Sequence, residues 1–225
     1  MIPLRDVIPS RTTPLVTIGL IVANTLAWFY ELSLPPDVLP AFLRSYGVVA
    51  ADIVPASFLS AMFLHGSWSH VVGNMWYLWI FGDNVEDRFG HGGFLAFYLA
   101  CGILASIGQI AADRTSLLPT IGASGAIAGV MGAYFMLYPR SRVLTLVPLI
   151  VFWEIIELPS IVLLGFWFLM QLFSAGAIAV TAGAQGRGGI AFMAHAAGFV
   201  AGAAVVLLLR KRATPNEHWA SRTNG

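Results

Sequence analysis

Four polar side chains stand in stretches that are otherwise almost wholly apolar: His70, Asn74, Ser124 and His195. A serine hydroxyl is a weak nucleophile at neutral pH, and an imidazole that takes its proton makes it able to attack a carbonyl carbon. Hydrogen-bond donors must then hold the oxyanion that develops. Ser124 and His195 supply the first need. The second falls to Asn74, His70 and the backbone N–H of Ser124, which lacks a helical partner if it lies near a helix start. Each residue alone also has a plainer reading. A serine in Gly122-Ala123-Ser124-Gly125 is commonly a packing residue bonded to its own helix, and a lone histidine can be a satisfied core residue. Joint placement decides between the two.

The elements that must position them are membrane spans. Of 225 residues, 58% are hydrophobic and only 10% charged, far too few charges for a water-facing surface. The net charge of +1 and the lack of a basic stripe exclude nucleic acid as a partner. Six apolar segments approximate 14 to 32, 67 to 87, 93 to 112, 121 to 138, 159 to 178 and 188 to 209. Lipid demands that backbone groups be satisfied within each span, so the expected class is all-α, a polytopic bundle of six transmembrane helices. Ile53 to Leu64 and Val143 to Ile156 are shorter, interrupted by Pro55 and Pro148, and are read as interfacial or re-entrant pieces. Cys101, the single cysteine, has no disulfide partner in the chain and is read as a packing residue.

Positive charge orients the bundle. With both termini inside, nine of the twelve Lys and Arg residues are cytoplasmic, and only Arg44, Arg114 and Arg187 lie outside. The expected organisation is a cytoplasmic segment at 1–13, a membrane domain at 14–209, and a basic, disordered cytoplasmic tail at 210–225. The first span carries no small-residue cleavage site and is read as uncleaved. The cell membrane is the expected location.

Helix starts near Trp68, Ile121 and Gly189 put Asn74 and His195 about 9 Å, and Ser124 about 5 Å, below the outer ends of their spans. His70 and Asn74, spaced i and i+4, share one face of the second span. Ser124 aligns with Ala128 and Gly132, and His195 with Gly198 and Gly202, while Gly125 and Gly129 form a GxxxG. Such small-residue faces let two backbones meet closely enough to bring a hydroxyl within about 3 Å of an imidazole. No carboxylate is placed to orient His195, so a dyad with an imidazole fixed by packing is expected. His65 and His70 lie five apart, off one helical face, and no HExxH or cysteine accompanies them, so neither a metal nor another cofactor is expected.

The chain resembles the rhomboid intramembrane serine proteases. Gly122-Ala123-Ser124-Gly125 is similar to their GxSG motif, His70-Val71-Val72-Gly73-Asn74 to their HxxxN element, and Ala194-His195-Ala196-Ala197-Gly198 to their AHxxG motif. The motifs fall in the family's order on the second, fourth and sixth spans. The resemblance implies a six-helix bundle of the rhomboid type, with Ser124 as nucleophile, His195 as base and then acid, His70 and Asn74 stabilising the oxyanion, and Gly122 shaping the approach. It further implies a site open to the outer face, a mobile loop over it at about Ala175 to Gly188, and a structural role for Glu86 and Arg88 in an ExR element. The insert Ile53 to Leu64 would be the membrane-dipping first loop. Implied substrates are single-pass membrane proteins cut in or beside their transmembrane helix, within surrounding lipid. Some relatives stack an aromatic residue, four positions after the nucleophile, on the catalytic histidine. Here that position is Ala128, and Phe192 or Phe199 is expected to hold the ring instead.

The same residues also bear on two other classes. A non-catalytic relative that escorts transmembrane helices would not need Ser124 and His195. A small transporter would place its polar residues at the midplane and show a repeat, and neither feature is present.

Overall fold

The computed structural model describes residues 1–148, 153–181 and 191–210. In chain order these form β1 (Ile2–Asp6), α1 (Leu15–Ser33), α2 (Leu39–Tyr46), β2 (Val48–Val49), α3 (Ser57–Ser60), a 3-10 turn (Ala61–Phe63), α4 (Trp68–Phe89), α5 (His91–Ala112), β3 (Pro119–Thr120), α6 (Ser124–Leu137), β4 (Arg142–Pro148), β5 (Trp153–Pro159), α7 (Ser160–Thr181) and α8 (Phe192–Arg210). Among the described residues α1, α5, α7 and α8 contain stretches long and apolar enough to cross a membrane. The other two expected spans differ. α6 is apolar but has 14 residues, and α4 carries Asp83, Glu86, Asp87 and Arg88 in its last turns. Large apolar side chains such as Leu26, Phe29, Trp79, Phe166, Phe173 and Leu208 face outward, as lipid permits and water does not.

α6 is the buried centre: every residue from Gly125 to Tyr134 is buried, and the helix packs against α4, α5, α7 and α8. The seam with α8 is made of backbone. A Cβ at Gly198 would overlap the Gly125 carbonyl, one at Gly202 the Gly129 carbonyl, and one at Gly132 the Phe199 carbonyl. On the opposite side, a Cβ at Gly125 would come within 2.6 Å of Ala105 Cβ, and one at Gly129 within 2.5 Å of Cys101 Cβ. α5, α6 and α8 therefore meet wherever side chains vanish, which in lipid is the main route to strong helix association.

The end of the bundle that carries Arg5, Arg11 and Arg88 is tied together by α4. Pro14 gives α1 no side-chain cap, and the Glu86 carboxylate fills that role from another helix, accepting from Val16 N (2.9 Å), Thr17 N (2.8 Å) and Thr17 Oγ1 (2.7 Å). His91 Nδ1 contacts the same carboxylate at 2.5 Å. Asp87 accepts from Arg11 N (2.6 Å) and Thr12 N (3.1 Å), and Ser10 Oγ bonds Asp83. The structural part expected of Glu86 thus takes a definite form, the N-cap of α1.

Three expectations need correction. The chain is not purely helical: β1, β4 and β5 form an antiparallel sheet in that order, and β2 pairs with β3. Val143 to Ile156 is therefore not a re-entrant piece where described, but two paired strands from Arg142↔Pro159 to Pro148↔Trp153, with residues 149–152 outside the description. Val143 and Thr145 are buried with an intermediate residue between them, the period-two burial of a strand. The N-terminal segment supplies the first strand of this sheet, since β1 pairs with β4, and Tyr134 Oη donates to Asp6 (2.8 Å). Of the loop expected at Ala175 to Gly188, residues 175–181 continue α7 and 182–188 lie outside the described residues, as does the tail from 211.

Two outcomes follow from this packing, both read by thermal unfolding in detergent. Gly202→Ala, forced against the Gly129 carbonyl, should cost about 1–3 kcal/mol, several degrees of Tm, whereas Gly19→Ala, with open space around it, should be neutral. Glu86→Ala, which strips the α1 cap, should cost about 2 kcal/mol. An unchanged melting temperature in either variant would mean that the contact carries no weight.

Candidate active site

The site forms where three helix starts meet. Ser67 caps α4, its Oγ accepting from His70 N (3.2 Å), so His70 and Asn74 fall in the first two turns. α6 opens at Ser124 rather than Ile121, because Gly122 has φ +119°, a backbone conformation that a right-handed helix cannot include. The Gly122 N–H donates to the Ala61 carbonyl (2.8 Å), which anchors this turn on the loop that precedes α4. A Cβ at Gly122 would also meet His70 Nε2 at 2.6 Å, so the residue must be glycine on both counts. At 1.5 Å per residue α6 is about 20 Å long, shorter than a hydrocarbon core of about 30 Å.

Ser124 Oγ and His195 Nε2 are 2.7 Å apart. The α6–α8 glycine seam brings them together, and His195 is 9% exposed. His70 lies on the other side of Ser124, against Gly122. Its Nδ1 accepts a long bond from Gly66 N (3.5 Å), which leaves the proton on Nε2, facing the turn. Asn74, 7% exposed, does not turn its whole amide to the site, since Nδ2 bonds His65 Nε2 at 3.0 Å. Ser124, His195, His70 and Gly122 are thus gathered, and Asn74 joins them through His65, whose ring meets that of His70.

Several participants are absent from the expectation. His65 is 1% exposed, its ring stands edge-on to His70 at 5.0 Å, and its backbone N–H donates to the buried Glu31 carboxylate (3.0 Å). Burial, and then the neighbouring His70, push the His65 pKa down to about 4, so it is neutral at physiological pH. His195 is not held by packing alone: its Nδ1 bonds Gln171 Oε1 on α7 at 2.8 Å. Trp167, one turn before Gln171, lies 5.9 Å from the His195 ring, and Phe192 meets it edge-on at 6.4 Å. Phe199, the other expected support, instead stacks on Phe168 at 4.7 Å and packs against Trp167. Gln171 did leave a signal, a polar amide in an apolar span, the same criterion that singled out Asn74. Among the described residues no cluster of three or more His, Cys, Asp or Glu side chains could hold a metal.

Residues 55–212 match the Rhomboid domain family, well over half of the chain. Rhomboid protein 1, mitochondrial, of Saccharomyces cerevisiae is 30% identical over 112 residues, 47% of this chain and 32% of that protein. Rhomboid-like protein 11, chloroplastic, of Arabidopsis thaliana is 26% identical over 200 residues, 84% of this chain and 66% of the relative. Rhomboid protease GluP of Bacillus subtilis is 44% identical over 75 residues, 33% of this chain and 14% of GluP. The match spans about a third of the yeast protein's length. With apolar helices long enough for a multi-pass membrane protein and this match across its helical core, the chain belongs to the rhomboid family.

Proposed function

We propose that the protein is an intramembrane serine endopeptidase that hydrolyses peptide bonds in or next to the transmembrane segments of other membrane proteins, using Ser124 and His195 as a catalytic dyad. One observation carries this reading, the 2.7 Å contact between Ser124 Oγ and His195 Nε2. With Nδ1–H directed at Gln171, Nε2 presents its lone pair to the serine O–H. As Ser124 Oγ attacks the scissile carbonyl, its proton passes to Nε2, and the imidazolium returns it to the leaving amine. Water then repeats the sequence on the acyl-enzyme. The oxyanion is met by the Ser124 backbone N–H in the first turn of α6, by His70 Nε2–H, and by the Asn74 N–H not given to His65. The positive end of α6 adds to their field.

The proposed protease domain is 14–209, with six spans and both termini on the side of the Arg-rich end. The charge asymmetry and the helix at each expected segment support it. The cell membrane is the proposed location; the charge asymmetry supports the orientation within it, while two of the relatives carry organellar names. A substrate helix must partly unwind to offer its peptide bond to Ser124, so Gly or Pro near the cut should favour cleavage. The name of the Bacillus subtilis relative, a rhomboid protease, supports the reaction class.

Cleavage of a model transmembrane substrate in liposomes should be abolished by Ser124→Ala and by His195→Ala, and equal cleavage by all three proteins would sink the dyad. His195 must be neutral to accept a proton, so activity should fall as acid protonates it, and a rate unchanged well into acid would remove it as base.

A further inference from the structure

The arrangement around His195 carries a second assignment, which rests on the proposed dyad: we propose that Gln171 is a positioning residue that fixes the tautomer and plane of the His195 imidazole, the part that an orienting carboxylate plays in a catalytic triad.

Three observations converge on it. Gln171 Oε1 is 2.8 Å from His195 Nδ1, on the ring edge opposite the 2.7 Å contact with Ser124. Trp167 and Gln171 are spaced i and i+4 on α7, so a single helical face supplies both a ring contact at 5.9 Å and the amide. Among the described residues no carboxylate is hydrogen-bonded to His195, whose side-chain partners are Gln171 and Ser124. An amide oxygen can only accept, so it requires Nδ1–H and thereby places the lone pair on Nε2. After Nε2 takes the serine proton, both ring nitrogens are donors and the Gln171 bond persists. It holds the ring through the proton transfer without bringing a full charge into a low-dielectric site. With the small Ala128 on α6, α7 takes over the support of the imidazole.

The test is steady-state cleavage of the model transmembrane substrate in liposomes by wild type, Gln171→Met, Gln171→Glu and Ser124→Ala, with thermal unfolding measured in parallel. Methionine keeps the length of the side chain and deletes the acceptor. The expected result is a kcat about tenfold to a hundredfold lower with KM and Tm little changed, the range a misaligned base costs. Glutamate keeps the acceptor and adds a negative charge that favours imidazolium, so activity should be retained at neutral pH or above. Its acid limb should move to higher pH by about one unit. A side chain that merely filled space would give neither the KM-against-kcat split nor the shifted profile. Wild-type kcat in Gln171→Met with Ser124→Ala inactive overturns this assignment and leaves the dyad standing. If Ser124→Ala cleaves like wild type, the dyad falls and the assignment falls with it. Should Gln171→Met fail to fold, the Gln171→Glu profile decides, and an unmoved acid limb overturns the proposal.

Discussion

The rest of the structure depends on the contact of two backbones. Gly198 and Gly202 of α8 lie against the carbonyls of Gly125 and Gly129 of α6, with no room for even a methyl group between them. Lipid gives apolar helices little reason to leave lipid for one another, so association rests on close dispersion contact and on backbone approach. Only at that spacing can the short hydroxymethyl of Ser124 reach an imidazole carried by another helix. The same demand explains the composition of α6, where Gly125, Ala126, Ala128, Gly129, Gly132 and Ala133 are all buried. A larger residue at Gly132, Gly198 or Gly202 would force the two backbones apart, and Ser124 away from His195 with them.

A second constraint sets the length of α6. Gly122 breaks the helical path, so α6 begins late and stays about 20 Å long. The turn that replaces the missing helix is held by the Ala61 carbonyl, and the loop carrying Ala61 is held in turn by Glu31 on the His65 N–H. Hydrogen bonds thus link the end of α1, through the Glu31 carboxylate, and the start of α6, through the Gly122 N–H, to the backbone of one loop. His65 lies in that chain and bonds Asn74, which couples the loop's position to the face of α4 that carries His70.

What the sequence made legible follows from cost. Polar groups in hydrocarbon and glycines in a helix are both unfavourable in isolation, so Ser124, His195, Asn74 and the Gly125/Gly129 pair stood out without structural knowledge. Gln171 was as conspicuous, but its partner is 24 residues away on another helix, and no spacing rule links the two. His65 enters the sequence reading only as a metal ligand to be set aside, because its bonds to Glu31 and Asn74 follow no spacing rule. The strands were hidden for a different reason. β1 alone has no periodicity worth reading, and Val143 to Ile156 is apolar enough to pass for a membrane segment until its partner strand is known. The helix start at Ser124 needed the φ of Gly122, which composition does not reveal.

The two ends of the bundle use polar groups in opposite ways, and the contrast explains the dyad. At the Arg-rich end, Asp83, Glu86 and Asp87 cap and tie the chain with ionisable side chains, Asp83 and Asp87 partly exposed and Glu86 buried against the N–H groups that open α1. At the other end the groups that face the reacting atoms, Gln171, Asn74, His70 and His195, are amides and imidazoles that can all be neutral. Glu31, a buried carboxylate at the same end, faces a backbone N–H rather than an imidazole. Burying a carboxylate beside His195 would have to be repaid by an ion pair present throughout the resting state. With neutral groups, in the proposed reaction charge would separate only while Ser124 attacks, and the field of the α6 start and the surrounding N–H groups would act on that transient charge alone. Stabilising a charge that exists only in the transition state is what lowers a barrier, so the absence of an orienting carboxylate is consistent with the site's design rather than a deficiency in it.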